Sequence, residues 1–271
     1  METGKANNIQ ASTFNIDHTD QCLLHIQIGL EHFSYCIINK TTNSVEYFKN
    51  FIINDTIIEI INKEKVLKLQ FLSSLVSFTN FPCNLIPNEL SKSENLKDIL
   101  ELNTDVYDII KSDQLTKIDA QLIYTIPSVI NDIVFTFFPN AKQKAQQTIL
   151  IEKFSNYDNK EDNAYLYIND NILNITIFRN EKFLFNNSFQ FKSKEDILYF
   201  TLFTFEQLKL ETETVNTKLY GEIIKNDQNY RLLYKYIRNI QIGTKPNHLN
   251  FPSEFNEIEI HQFYTLFSQS I

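Results

Sequence analysis

An α/β protein made of two similar halves, each a mixed sheet flanked by helices, is predicted by three features of this 271-residue sequence. Two distant stretches share one strand-turn-strand pattern, each runs through a further turn into a third strand, and behind each of them helices and short strands alternate. The first stretch, His25-Ile26-Gln27-Ile28-Gly29-Leu30-Glu31-His32-Phe33-Ser34-Tyr35-Cys36-Ile37-Ile38, aligns without a gap on Tyr165-Leu166-Tyr167-Ile168-Asn169-Asp170-Asn171-Ile172-Leu173-Asn174-Ile175-Thr176-Ile177-Phe178, at a constant offset of 140 residues. Residues 39–44 then turn into Val45-Glu46-Tyr47-Phe48, and residues 179–182 into Phe183-Leu184-Phe185. An antiparallel meander followed by alternating helices and strands gives a mixed sheet with helices on its faces. Duplicated halves of this kind face one another across a cleft, the natural place for a ligand.

After the first meander, Ile57, Ile58, Ile61 and Leu67 recur at helical spacing behind the capping residues Asn54-Asp55-Thr56. Short strands follow at Leu75-Val76-Ser77-Phe78 and Asn84-Leu85-Ile86, stopped by Pro82 and Pro87. Ser93-Glu94-Asn95 leads into a short helix with Leu96, Ile99 and Leu100 on one face. The run Ala120 to Ile126 is a strand feeding a helix that carries Pro127 in its first turn and Ile130, Ile133, Val134 and Phe137 on its inner side. A helix over 147–154 closes the first half, and the polar stretch 156–163 marks the boundary. In the second half the meander ends near Phe191. Ser193 caps a helix over 194–210, with Asp196 completing a capping box and Ile197, Leu198, Thr201, Phe205 and Leu208 turned inward. A strand over 217–220 runs into Gly221-Glu222, followed by a helix at 227–238, a strand at 239–242 and a last helix at 257–267. The expected division is a flexible segment at 1–21, a first lobe at 22–158 and a second at 159–271, whose last helix is free to return to the first lobe.

With 43% hydrophobic and 13% aromatic residues, each half has enough apolar material for a core. The net charge of −8 and the scattering of 25 Lys and Arg oppose binding to nucleic acid or to an anionic membrane, since no dominant basic face neutralises phosphate. Apolar runs fall short of the roughly 18–20 residues that cross a bilayer, and residues 1–13 hold no hydrophobic segment of the signal-peptide kind, so a cytoplasmic location without membrane insertion is expected. Cys22, Cys36 and Cys83 are odd in number and lack CxxC spacing, and are expected as buried reduced thiols. His18, His25, His32, His248 and His261 show no zinc-site spacing.

The duplicated meander followed by helix, strand, helix and strand resembles the ribonuclease H-like unit of the actin-like ATPase superfamily. Leu122-Ile123-Tyr124-Thr125-Ile126-Pro127 before a helix is similar to the corresponding stretch of PilM-type and FtsA-type proteins. Four stretches together resemble a bacterial member of that superfamily, domain-of-unknown-function family 3822. They are Asn84-Leu85-Ile86-Pro87; Phe138-Pro139-Asn140-Ala141; Asn187-Ser188-Phe189-Gln190-Phe191 with Glu195-Asp196-Ile197-Leu198-Tyr199-Phe200; and Leu219-Tyr220-Gly221-Glu222-Ile223. The resemblance covers nearly the whole chain from Leu23.

The resemblance implies where a nucleotide would sit. In the working ATPases each meander opens with an Asp followed by a Gly-containing turn, the Gly admitting backbone N–H groups to phosphate and the carboxylates holding the metal and its waters. Here Gly29 is kept, but Gln27 stands in place of the first Asp, and Tyr167 and Asn169 occupy the equivalent positions of the second turn, with Asp170 the nearby carboxylate. The Gly-rich adenosine loop corresponds to Leu219 to Ile223, where Gly221 remains and Glu222 brings a negative charge. The sequence has four glycines, Gly4, Gly29, Gly221 and Gly243, too few for close backbone approach at several points. Gln27, Gly29, Asn169, Asp170, Gly221 and Glu222 are therefore vestigial nucleotide-loop positions, with no catalytic residue or metal ligand assigned and no cofactor expected, ATP with magnesium being the alternative.

A ribonuclease H-like nuclease needs a carboxylate cluster for two metals, and Gln27 stands where the first would come. A Ser hydrolase would need a GxSxG turn, which the sequence lacks. Two classes remain: a non-catalytic scaffold or adaptor that binds another protein, and an ATP-binding switch with unorthodox loops. The aromatic runs at 134–138 and 199–205 place apolar residues around more than one side of a helix. Some of Phe135, Phe138, Tyr199 and Phe203 are thus expected on a protein-contact surface on these helices or beside the cleft.

Overall fold

The computed structural model describes residues 7–53, 56–92, 96–102 and 106–269. The capping positions Asn54 and Asp55 and the lead-in Ser93-Glu94-Asn95 lie outside them. The first half contains β1 (Asn8–Gln10), β2 (Cys22–Ile28), β3 (His32–Asn39), β4 (Ser44–Ile52), α1 (Ile57–Lys63), β5 (Ser73–Phe78), β6 (Cys83–Pro87), α2 (Leu96–Glu101), β7 (Ile109–Gln114), β8 (Ala120–Ile126), α3 (Ser128–Phe137), β9 (Lys142–Ala145) and α4 (Gln146–Phe154). The second contains β10 (Asn163–Asn169), β11 (Ile172–Arg179), β12 (Lys182–Gln190), α5 (Lys194–Gln207), β13 (Asn216–Gly221), α6 (Gln228–Tyr234), β14 (Asn239–Ile242) and α7 (Tyr264–Ser268).

The two main sheets have the same plan. Strand order is β1-β4-β3-β2-β5-β9 in one and β12-β11-β10-β13-β14 in the other. In each, an antiparallel meander is joined through its first strand to two parallel strands: β2 to β5 to β9, and β10 to β13 to β14. Even the irregularity repeats. The register of the second and third strands slips between Ile37 and Ile38 in one half and between Ile177 and Phe178 in the other, positions 140 residues apart. A bulge bends its strand and increases local twist, so the two meanders share curvature as well as order. Strands β2 and β10 read as nearly continuous apolar runs because helices cover one face and the opposite half or the chain's end covers the other.

Between β5 and β9 the chain inserts a three-stranded antiparallel sheet of order β6-β8-β7, carrying α2 and α3. The strand at Ala120–Ile126 and its helix thus belong to this insert and not to a main sheet. Asp113 on β7 ties the insert to the start of α4, its carboxylate accepting from Ala145 N–H and Thr148 Oγ1, both at 2.7 Å.

Local sequence accounts for the starts of three helices. Thr56 caps α1, Asp227 caps α6, and Ser193 with Asp196 forms a reciprocal capping box at α5. Several expectations are corrected. Within the stretch expected as a flexible segment, Asn8–Gln10 form β1 and Ile16–Gln21 a 3-10 turn, with Ile9 and Ala11 buried. Pro127 precedes α3 as its cap residue instead of entering its first turn. On α1 the buried side chains are Ile57, Ile60 and Ile61, while Ile58 faces solvent. The helix expected over 257–267 is replaced by a 3-10 turn at Ile260–Phe263 and the short α7, with another 3-10 turn, Ser253–Glu257, just before them. The strands β7 and β9, rich in Lys, Asp and Gln, carry no alternation that marks them in advance. Of the four aromatics expected on a contact surface, Phe138 is buried, whereas Phe135, Tyr199 and Phe203 are 75%, 59% and 45% exposed.

Candidate functional site between the halves

The six vestigial-loop positions lie on two facing sets of strand ends. Gln27 sits on β2 opposite Ser34 and Ser77, and Gly29 follows at the turn, where its N–H donates to His32 O at 2.9 Å. Across from them, Asn169 and Asp170 form the β10–β11 turn, with Asp170 at φ +53°. Gly221 ends β13 beside Ile168, and Glu222 follows it.

Two hydrogen-bonded clusters join these loops. In the inner one, the side chains at the two duplicated positions, Gln27 and Tyr167, meet through one residue of the chain's last helix. Thr265 Oγ1 donates to Gln27 Oε1 at 3.0 Å and lies 3.1 Å from the Tyr167 hydroxyl. A threonine hydroxyl has one proton, so Tyr167 is the donor in the second bond. Gln146 at the start of α4 adds a longer contact, its Nε2 lying 3.5 Å from the same oxygen. Thr265, Tyr167 and Gln146 are buried, and burial pushes the Tyr167 hydroxyl far above its ordinary pKa, keeping it neutral.

The last segment is fastened to both halves. His25 Nδ1 lies 3.2 Å from Leu266 O, and Gln269 Nε2 donates to Ile26 O at 3.0 Å and to Ser77 Oγ at 2.6 Å, all within the first half. Burial lowers the His25 pKa to about 4, so the ring is neutral and Nδ1 carries the proton it donates. On the other side His261 Nε2 is 2.6 Å from Ile223 O, and Tyr264 packs against Phe154 and Tyr220 in a core cluster that also holds Tyr165 and Tyr167.

The outer cluster links the turns directly. His32 Nε2 lies 2.8 Å from Asp170 Oδ1. Asp170 Oδ2 accepts from Asn80 Nδ2 at 2.8 Å and Asn169 Nδ2 at 2.9 Å, and Asp170 N–H donates to Glu222 Oε2 at 3.0 Å. All three loops and the end of β5 are thereby knitted together. Bonding to Asp170 raises the His32 pKa, and burial raises that of Glu222. A histidine whose folded pKa is raised adds stability that is complete below its unfolded pKa and fades as pH rises through the folded one. The raised Glu222 acts in the same sense, its ionisation being disfavoured in the fold. The contacts between the turns are thus expected to be strongest in mild acid. An NMR titration should give His32 a pKa above 6.5 in the native protein, and Asp170→Asn should lower it. A His32 pKa unmoved by Asp170→Asn counts against the pairing.

Among the described residues, Glu31, His32 and Asp170 are the one group whose potential metal-ligating atoms fall within 4.8 Å of one another. The Asp170 oxygens already serve His32, Asn80 and Asn169, so an ion there would have to displace those donors. Of the participants, His32, Asn80, Gln146 and Thr265 carry no motif that marks them in the sequence; they enter through tertiary placement. The one signal was the constant offset, which makes Gln27 and Tyr167 structural equivalents and so predicts that they approach each other.

Comparison with known proteins follows the same lines. The model of the family described as "Protein of unknown function (DUF3822)" matches residues 11–240. No curated protein matches the chain. A Bacteroides thetaiotaomicron protein with an actin-like ATPase fold and unknown function superposes over 96% of this chain and 100% of its own, with a TM-score of 0.80 at 19% identity. A chain of the PilM-PilN type IV pilus biogenesis complex covers 91% of this chain and 95% of its own, with a TM-score of 0.63 at 9% identity. Among the described residues no helix is long and apolar enough to cross a membrane. With the duplicated sheet plan, these matches show that the chain belongs to the DUF3822 family and has the actin-like ATPase fold.

Proposed function

We propose that this protein is a non-catalytic scaffold or adaptor that binds another protein, its interlobe cleft held by its own side chains and not by a nucleotide. The observation that carries this reading is the bridge through Thr265, which joins Gln27 and Tyr167 where an ATPase of this fold would place metal-holding carboxylates. Neutral oxygens already engaged with one another are poor ligands for magnesium, which prefers anionic oxygen in near-octahedral geometry. Glu222 reinforces the argument, since its carboxylate stands at the adenosine loop and would face the nucleotide's negative charge. The residues present therefore do not fit magnesium ATP.

Protein binding draws support from two further points. Tyr199 and Phe203 on α5 stack with centroids 5.8 Å apart while remaining exposed, and aromatic side chains are enriched at protein interfaces. The similarity to a chain of the PilM-PilN complex gives a precedent for this fold in a protein assembly.

Thermal unfolding with and without ATP and magnesium tests the reading. Any ligand held at about 100 times its Kd adds about 2.7 kcal/mol to native stability, which moves the Tm of a chain this size by roughly 5–10 °C. No such rise is expected. A rise that disappears in Gln27→Ala would overturn the proposal and favour the ATP-binding switch.

A further inference from the structure

A groove of about 240 Å³ lies on the seam between the halves, with Cys83 and Leu85 of β6 on one wall and Asn186, Asn187 and Ser188 of β12 on the other. Both walls are sheet edges. Among the described residues, strand β6 pairs only with β8, and β12 only with β11. Which backbone groups face the groove follows from the alternation of antiparallel ladders. Thr125 N–H donates to Pro82 O at 3.0 Å, so even-numbered positions of β6 bond to β8 and the N–H and C=O groups of Cys83 and Leu85 point away from it. Phe191 N–H donates to Asn171 O at 2.9 Å, which turns odd-numbered positions of β12 to β11 and leaves those of Asn186 and Ser188 facing outward. The Ser188 N–H is covered by the Asn187 side chain, whose Oδ1 accepts it at 2.9 Å.

Unpaired strand edges are templates for another strand, and natural proteins usually blunt them with charge, proline or a covering element. Here two edges flank one groove, and every residue lining it is uncharged. Ile99 and Leu102 of the α2 region give the groove an apolar side, Leu102 being 79% exposed, while Asn84, Asn186 and Asn187 give it amide groups.

We propose that this groove takes an extended, uncharged peptide segment of a partner protein as an added strand, with its main chain bonded to Cys83 and Leu85 on one side and to Asn186 and Ser188 on the other. The proposal rests on the protein-binding reading above and specifies its site. Strand addition draws affinity from main-chain hydrogen bonds and specificity from alternate side chains. The segment therefore presents apolar side chains towards Ile99 and Leu102, and a charged residue in its centre is rejected because it would lose water without gaining a partner. Asn187 swings away from the Ser188 N–H as the strand enters.

The test is selection from a displayed library of random peptides about ten residues long, enough to span a strand of common length, against the full chain. Enriched peptides should lack central charges and should shift the backbone amide signals of residues 83, 85, 186 and 188. Methylating a single central peptide nitrogen should weaken binding about ten-fold or more, because a buried acceptor then loses its donor. Ser188→Pro should weaken it similarly; its N–H faces the groove and not the ladder, so proline is tolerated at this edge, and the peptide methylation answers the question even if that variant unfolds. The groove proposal is overturned if no peptide is enriched, if methylation leaves affinity unchanged, or if the shifted signals lie elsewhere. Peptides that settle on Tyr199 and Phe203 would sink the groove while leaving the protein-binding reading intact, whereas stabilisation by ATP and magnesium sinks that reading whatever the peptides do.

Discussion

Gly221→Ala is expected to destabilise the protein by about 2–5 kcal/mol, the sum of placing an L-residue in left-handed backbone and of overpacking. Gly221 has φ +80°, and a Cβ there would lie 1.9 Å from Ile168 O and within 2.9 Å of Ile168 N. Those are backbone atoms of the neighbouring parallel strand, so no rotamer change relieves the clash; the strands must part or the turn must unwind. Glu222 follows directly, with its N–H on Ile168 O at 2.7 Å and its carboxylate on Asp170 N–H. The same substitution should therefore loosen the outer cluster. A drop in the urea midpoint, with movement of the Asp170 amide signal, is the expected result. Gly29→Ala supplies the contrast. A Cβ at Gly29 meets atoms no nearer than 3.6 Å and the backbone is not left-handed, so its cost should stay within about 0.5 kcal/mol. If both glycines tolerate alanine equally, close β10–β13 approach is not what retains Gly221.

This pair also shows what the sequence could and could not convey. Gly29 and Gly221 read alike as remnants of phosphate loops, yet one is replaceable by geometry and the other is required by sheet packing. Residue identity marks a position as unusual; the neighbouring strand decides why. The duplication was legible because apolar strands at a fixed offset survive in the sequence. The β2–β3 and β10–β11 registers follow that offset residue by residue and the bulge recurs at it, while the third strands, β4 and β12, pair two residues out of step with it because the second turn is shorter. The insert was only half legible. Its central strand β8 is apolar on both faces, but β7 contributes Lys111, Ser112, Asp113 and Gln114, and the Asp113 and Gln114 side chains are used in tertiary hydrogen bonds invisible to local pattern. The candidate site divides in the same way. Gln27 and Tyr167 could be placed opposite each other by the repeat, while Thr265 reaches them from nearly a hundred residues beyond Tyr167, on a helix of five residues too short to leave a reliable periodic signal.

The other large effect concerns the seam itself. Phe154 is fully buried on α4 and packs against Tyr165 at 4.3 Å with ring planes 9° apart, Tyr220 at 5.1 Å and Tyr264 at 5.7 Å. It touches, from the last helix of the first half, two strands of the second half and the returning C-terminal segment. Phe154→Ala is thus expected to cost about 3–5 kcal/mol, the range for a large buried aromatic whose cavity cannot collapse. Collapse is hindered here because Tyr165 is held by Asn159, and Tyr264 by Tyr157, through hydroxyl hydrogen bonds of 2.8 and 2.7 Å. Phe135→Ala, at a side chain 75% exposed on α3, is the matched control and should change stability by no more than about 0.5 kcal/mol. Chemical denaturation gives the energies, and hydrogen exchange gives the location: amides of residues 264–269 should lose protection in Phe154→Ala before those of β2 and β5 do. Should Phe154→Ala instead cost under about 1 kcal/mol, or should protection fall first in the sheet, then the aromatic seam does not hold the C-terminal segment in the cleft, and the bridge from Gln27 through Thr265 to Tyr167 must be maintained by the first-half anchors His25 and Gln269 alone.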